Sequence, residues 1–168
     1  MIHLNPDHYL QTENGRVFTP ERNVAAWEKL YCDLAHFLYS AHGASDLFIV
    51  LGVQGSGKST WIKKHGKRFG GNAIFVDAAL PGVRHRARIL SLAKDTGTSV
   101  KAVWMDVPLE IALYRNRQRI LEEQVPQDVI EYVFFHFEPP TLVEGFAEII
   151  VVREMDSNIA APIHEPQE

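Results

Sequence analysis

Apolar positions along the chain fall into two alternating patterns. Leu47-Phe48-Ile49-Val50-Leu51, Ala73-Ile74-Phe75-Val76, residues 100–105 and residues 149–152 are short apolar runs. Such runs have the length and the two-sided hydrophobicity of parallel strands covered on both faces. Between them, apolar residues recur every three or four positions, the spacing that gives a helix one buried face. Val24, Trp27, Leu30, Tyr31, Leu34 and Leu38 form such a stripe. Thr19, Pro20 and Glu21 precede it as N-cap, first-turn proline and dipole-matched carboxylate, and Gly43 is the expected end. Further helices are predicted over residues 59–69, 83–94, 109–123 and 128–136, with Pro126 separating the last two. Met1 to Leu4 reads as a short first strand running into the turn-rich stretch 11–15, and residues 160–168 lack any period. Strands alternating with helices predict an α/β fold, a parallel sheet flanked by helices.

One strand-to-helix junction carries chemistry. Gly52-Val53-Gln54-Gly55-Ser56-Gly57-Lys58-Ser59 follows the apolar run 47–51 and opens the next helix. This is the phosphate-loop pattern in its required context. Backbone N–H groups of such a loop point inward, and the helix N-terminus adds partial positive charge, so an anion is cradled by main chain. Gly52, Gln54, Gly55, Ser56, Gly57, Lys58, Ser59 and Thr60 are the expected nucleotide-binding residues. Lys58 is expected to reach the β- and γ-phosphates and Ser59 to ligate Mg²⁺. Asp77 closes an apolar strand, where a carboxylate can hold the same metal, although a turn or cap residue would look alike. Arg115 and Arg119, four apart on one predicted helix, are candidates to stabilise transition-state charge. The fold class is therefore a P-loop NTPase-type α/β sheet flanked by helices, with a helical lid.

Composition narrows the class further. At 168 residues one domain is expected, and a net charge of −4 removes the bulk positive field of non-specific nucleic-acid binders. A single cysteine, Cys32, permits no internal disulfide and fits a reducing compartment. No histidine spacing suggests zinc. The first residues lack a basic and apolar leader, and no apolar run approaches the roughly 20 residues that span a bilayer. A cytoplasmic location without membrane contact is the expectation.

From Val50 to Val152 the sequence resembles the polynucleotide-kinase-like P-loop phosphotransferases. Besides the loop, Val76-Asp77-Ala78-Ala79-Leu80 with Arg84, Arg86 and Arg88 resembles the family's strand end and arginine-rich helix. Asp106-Val107-Pro108 with Arg115-Asn116 and Arg119 resembles the strand leading into its lid, and Phe137-Glu138-Pro139-Pro140-Thr141 with Glu144-Gly145-Phe146 resembles its C-terminal element. The family's second strand, ending in Asn-x-Asp with the Asp as general base, is missing between the loop helix and residue 73. Leu4-Asn5-Pro6-Asp7, followed by an amphipathic helix, looks like that block moved to the N-terminus. The resemblance then implies Asp7 as general base and divides the single domain into 1–45 (transposed acceptor-side unit), 46–105 (phosphate-binding core), 106–136 (lid) and 137–168 (C-terminal strand and tail). The arginine that follows the base by three residues in bacteriophage-type members is Leu10 here. His8, Arg16, Arg84 and Arg88 are the candidates to replace it.

These features together imply an ATP- and Mg²⁺-dependent kinase passing the γ-phosphate to a hydroxyl on a nucleic acid or a small molecule, a nucleic-acid 5′-hydroxyl among them. A small-molecule or nucleotide kinase on the same scaffold is the nearest alternative. A nucleotide-binding regulator or plain NTPase, with Asp7 structural, is the alternative from another class.

Overall fold

The computed structural model describes residues 1–13, 15–40 and 46–153. In chain order they form β1 (Ile2–Leu4), a small hairpin of β2 (Gln11–Thr12) and β3 (Gly15–Arg16), α1 (Pro20–Ser40), β4 (Leu47–Leu51), α2 (Lys58–His65) and β5 (Ile74–Asp77). α3 (Val83–Asp95), β6 (Val100–Asp106), α4 (Leu109–Arg117), α5 (Gln127–Phe135) and β7 (Glu148–Arg153) follow. The main sheet has the order β1-β5-β4-β6-β7, and every pairing in it is parallel. The N-terminal strand thus lies at the edge beside β5, with Leu4 opposite Val76.

Strand alternation divides the core between the two faces. Leu47, Ile49 and Leu51 of β4 meet Leu30, Leu34 and Leu38 of α1 and Ile89 and Ala93 of α3. Phe48 and Val50 face the other way, against Ile62 of α2 and Phe75 of β5, with the Phe48 and Phe75 rings stacked at 4.9 Å. Every residue of β4 is therefore buried, as its unbroken apolar run requires. α1 begins as its sequence predicts: the Thr19 hydroxyl accepts the Arg22 N–H at 3.2 Å, satisfying one of the helix's orphan donors. Arg88 of α3 reaches across to α1, gripping Glu28 with two nitrogens at 2.5 and 2.9 Å and lying 3.9 Å over the Tyr31 ring. That exposed pair adds a surface link to the apolar packing that seats α1 beside α3.

Two expectations are corrected. The predicted helix 59–69 is α only to His65 and tightens into a 3-10 turn over Gly66–Phe69. The predicted helix 109–123 stops at Arg117, because the Gln124 side-chain amide takes the carbonyls of Arg117 and Arg119 at 3.3 and 2.8 Å. Asn116, buried beside it, exchanges two hydrogen bonds with the Val125 backbone and pins the return segment. Arg115 and Arg119 consequently do not share one helix face. The expected end of α1 at Gly43 and the aperiodic tail 160–168 lie outside the described residues. No helix among the described residues is long and apolar enough to cross a membrane.

Candidate active site

The phosphate loop leaves β4 at the carboxyl edge of the sheet. Gly55 has a φ of +82°, and a Cβ there would stand 2.2 Å from the Ala112 carbonyl oxygen of α4. Glycine is needed twice over, for the left-handed backbone and for the direct seat of α4 on the loop. Val53, Ala112 and Ile130 close a small apolar core at that seat, so α4 and α5 are held over the loop by packing. Arg115, on the last turns of α4, brings its Nη1 to 3.8 Å from where a Gly57 side chain would begin.

Lys58 opens α2 and folds back over the loop, its Nζ donating to the carbonyls of Gly52 and Val53, both at 2.9 Å. The residue as a whole is half-buried, with its ammonium held against these two carbonyls. Burial pushes its pKa down to about 8, against the opposing pull of Asp77 and Asp7 and with a further push from Arg119. Four candidate residues, Lys58, Asp77, Asp7 and Arg119, therefore share one electrostatic field. Within the loop the buried Gln54 Oε1 and Ser56 Oγ have no hydrogen-bond partner among the described residues. Thr60 is exposed in the first turn of α2.

Asp77 is buried at the end of β5 and gathers three donors on its Oδ2. Ser59 Oγ donates at 2.5 Å, His3 Nε2 at 3.0 Å and Asn5 Nδ2 at 3.2 Å. Burial by itself would raise this carboxyl, but the His3 hydrogen bond, the Lys58 charge and the Ser59 hydrogen bond outweigh it and hold the group below its ordinary range. Among the described residues no group of three or more His, Cys, Asp or Glu could chelate an ion unaided. The donor set nevertheless fits Mg²⁺, which takes a hydroxyl or carboxylate or two from the protein and the rest from phosphates and water. Ser59 and Asp77 are the residues that would hold it.

Asp7 lies in a 3-10 turn, Pro6–Leu10, directly after β1, and its N–H is capped by the Asn5 side chain at 2.9 Å. Its carboxylate is half exposed and accepts from Arg16 Nη1 at 2.6 Å. The other Arg16 nitrogen reaches the Glu122 carbonyl at 3.4 Å, linking the β2–β3 hairpin to the segment that follows α4. His8 packs edge-on against His3 at 5.3 Å, and burial, then the neighbouring His3, lowers its pKa. Of the other cations considered for acceptor phosphate, Arg88 is occupied with Glu28, and Arg84 stands exposed on α3.

Arg86, in the same cluster, is wholly buried. It donates to Glu144 from Nε and Nη2 at 2.6 and 2.9 Å and from Nη1 to the Leu80 and Glu138 carbonyls, both at 3.0 Å. It braces the chain around β5 and does not face the loop. A cleft of about 140 Å³, bounded by Gly52, Val53, Trp104, Asp106, Phe134 and Phe137, runs along the sheet edge from the start of the loop.

Sequence reading missed His3 and Asn5. Their signal is slight: a polar side chain at position 3, between Ile2 and Leu4, breaks the apolar run of β1 on the side that faces α2. Only the pairing of β1 with β5 turns it into an Asp77 partner.

The parallel sheet, the glycine loop between β4 and α2, and the Lys58–Ser59–Asp77 arrangement define a P-loop NTPase-type fold. A family model described as an AAA domain matches residues 68–140, less than half of the chain and wholly C-terminal to the loop. Among solved structures the chain is similar to one in the crystal structure of AvrRxo1-ORF1:-ORF2 with ATP, with 19% identity and a TM-score of 0.54, covering 87% of this chain and 67% of that one. The native AvrRxo1-ORF1:-ORF2 complex gives a TM-score of 0.50 at the same identity and coverage. At this identity the likeness is one of fold.

Proposed function

We propose that this chain is an ATP-dependent kinase that transfers the γ-phosphoryl group to a hydroxyl acceptor, a nucleic-acid 5′-hydroxyl being one of the acceptors to be tested. The observation that carries the reading is the convergence on one sheet edge of a phosphate loop, its lysine, the Ser59–Asp77 pair and, from β1, a carboxylate within electrostatic reach of that lysine. The ATP bound in the similar AvrRxo1 complex is in keeping with a nucleotide at the loop. The edge position of β1 beside β5 agrees with an acceptor-side unit moved to the N-terminus, since successive strand–helix units of such sheets lie side by side.

In this mechanism the loop amides and Lys58 hold the phosphates, and Lys58 gives up its carbonyl partners to do so. Mg²⁺, when bound, supplies positive charge against the phosphates. Asp7 accepts the proton of the attacking hydroxyl, and Arg115 and Arg119 face the charge that spreads over the equatorial oxygens. Asp7 must release Arg16, which then lies free beside the acceptor to bind an anionic group on it.

The Asp7–Arg16 ion pair also supports the alternative from another class, a nucleotide-binding regulator or plain NTPase in which that pair is permanent. Labelled ATP offered with 5′-hydroxyl oligonucleotides, nucleosides and small polyols separates the readings. The kinase labels one acceptor class, loses all transfer in Lys58→Ala, and in Asp7→Asn loses about a hundredfold or more while ATP still binds. ATP hydrolysis that labels no acceptor and is indifferent to Asp7→Asn would overturn the proposal.

A further inference from the structure

We propose that His3 is a positioning residue for the metal-nucleotide half of the site, acting with Asn5 to hold the Asp77 carboxylate that Ser59 also contacts. The inference rests on the nucleotide-binding reading above and concerns what makes Mg²⁺ effective there. All three hydrogen bonds to Asp77 end on Oδ2, and among the described residues none ends on Oδ1. An ionised carboxylate has no proton to offer, so His3 carries its own on Nε2 and donates it. Oδ1 keeps its lone pairs for a metal ion or a water of the metal's shell.

Ser59 serves both partners at once, its O–H donating to Asp77 at 2.5 Å while its lone pairs stay available to a metal ion. A buried carboxylate held by that one hydroxyl alone would still be free to turn about its Cβ–Cγ bond. His3 and Asn5 come from β1 and the residue after it, 74 and 72 positions from Asp77 in the chain, and neither is needed elsewhere on the metal side. They fix Oδ2, and with it the orientation of the carboxylate that would hold the ion. The N-terminal strand thus supports the donor half of the site as well as carrying Asp7.

The test compares ATP affinity with and without Mg²⁺ by calorimetry on the full chain, for wild type, His3→Leu and His3→Gln, with thermal unfolding to confirm that each folds. In wild type Mg²⁺ tightens binding. His3→Leu weakens Mg²⁺·ATP about ten- to a hundredfold, the usual effect of losing a partner that orients a metal-holding carboxylate, and leaves metal-free ATP affinity unchanged. His3→Gln, whose amide can still donate to Oδ2, keeps most of the Mg²⁺ effect. A purely structural role lowers the unfolding temperature without changing the ratio of the two affinities, and that result overturns the proposal, as does a His3→Gln protein as impaired as His3→Leu. Wild type that binds no ATP under either condition overturns the nucleotide-binding reading itself and is distinguished by that from failure of the His3 role alone.

Discussion

Raising the pH is the sharpest perturbation of the loop, because Lys58 is held with a pKa near 8 where an ordinary lysine has 10.5. The sign follows from the state that each environment favours. Burial disfavours the ammonium in the folded chain, so the folded protein gives up this proton before the unfolded chain does. The charged lysine costs folding stability below about pH 8, and that cost is relieved as pH rises from about 8 towards 10.5. Bound phosphates act in the opposite sense, since negative charge next to the ammonium raises its pKa. ATP binding above pH 8 must therefore take up a proton, and affinity falls by about tenfold per pH unit until the pKa of the bound state is reached. Below pH 8 Lys58 contributes no slope. Calorimetric titration of ATP from about pH 7 to pH 10, in two buffers of different ionisation enthalpy, measures both the affinity and the proton uptake. Lys58→Arg is the control, because a guanidinium stays charged across this range and removes the slope. A flat wild-type profile, or an equal slope in Lys58→Arg, would refute the assignment of the loop's charge to Lys58.

Two further outcomes separate structural from functional arginines. Arg86→Met leaves Glu144 buried without its partner and two carbonyls unpaired, a loss of about 3–5 kcal/mol; at roughly 2–4 °C per kcal/mol for a chain of this size, the thermal midpoint falls by about 6–20 °C while ATP affinity of the folded protein is kept. A fall of under about 1 kcal/mol in unfolding monitored by circular dichroism would contradict the buried-brace role. Arg115→Ala and Arg119→Ala, by contrast, lower kcat more than they weaken ATP binding, because their charge acts where it develops in the transition state. Equal losses in both quantities, measured by steady-state kinetics and direct titration, would make them nucleotide clamps only.

The strands, the helices and the phosphate loop were legible in the sequence because each rests on local pattern. The run Leu47 to Leu51 is apolar at every position and becomes a strand buried on both faces, and the stripe from Leu30 to Leu38 becomes the buried face of α1. Gly55 and Gly57 stand where the backbone turns left-handed, a conformation that glycine adopts without steric cost. Other features had no local sign. The predicted 109–123 helix ends early because Gln124 and Asn116 offer its carbonyls and the return segment better partners, which depends on the chain folding back on itself. Arg86 and Arg88 look like neighbouring surface cations in an arginine-rich stretch, yet one is a buried brace and the other an exposed stitch. His3 and Asn5 became partners of Asp77 only when β1 paired with β5. Periodicity records how each residue relates to its own helix or strand, whereas the hydrogen bonds of a buried charge are chosen among groups that meet only after the sheet has assembled. Tertiary structure therefore decided which polar side chains serve the site and which only hold it together.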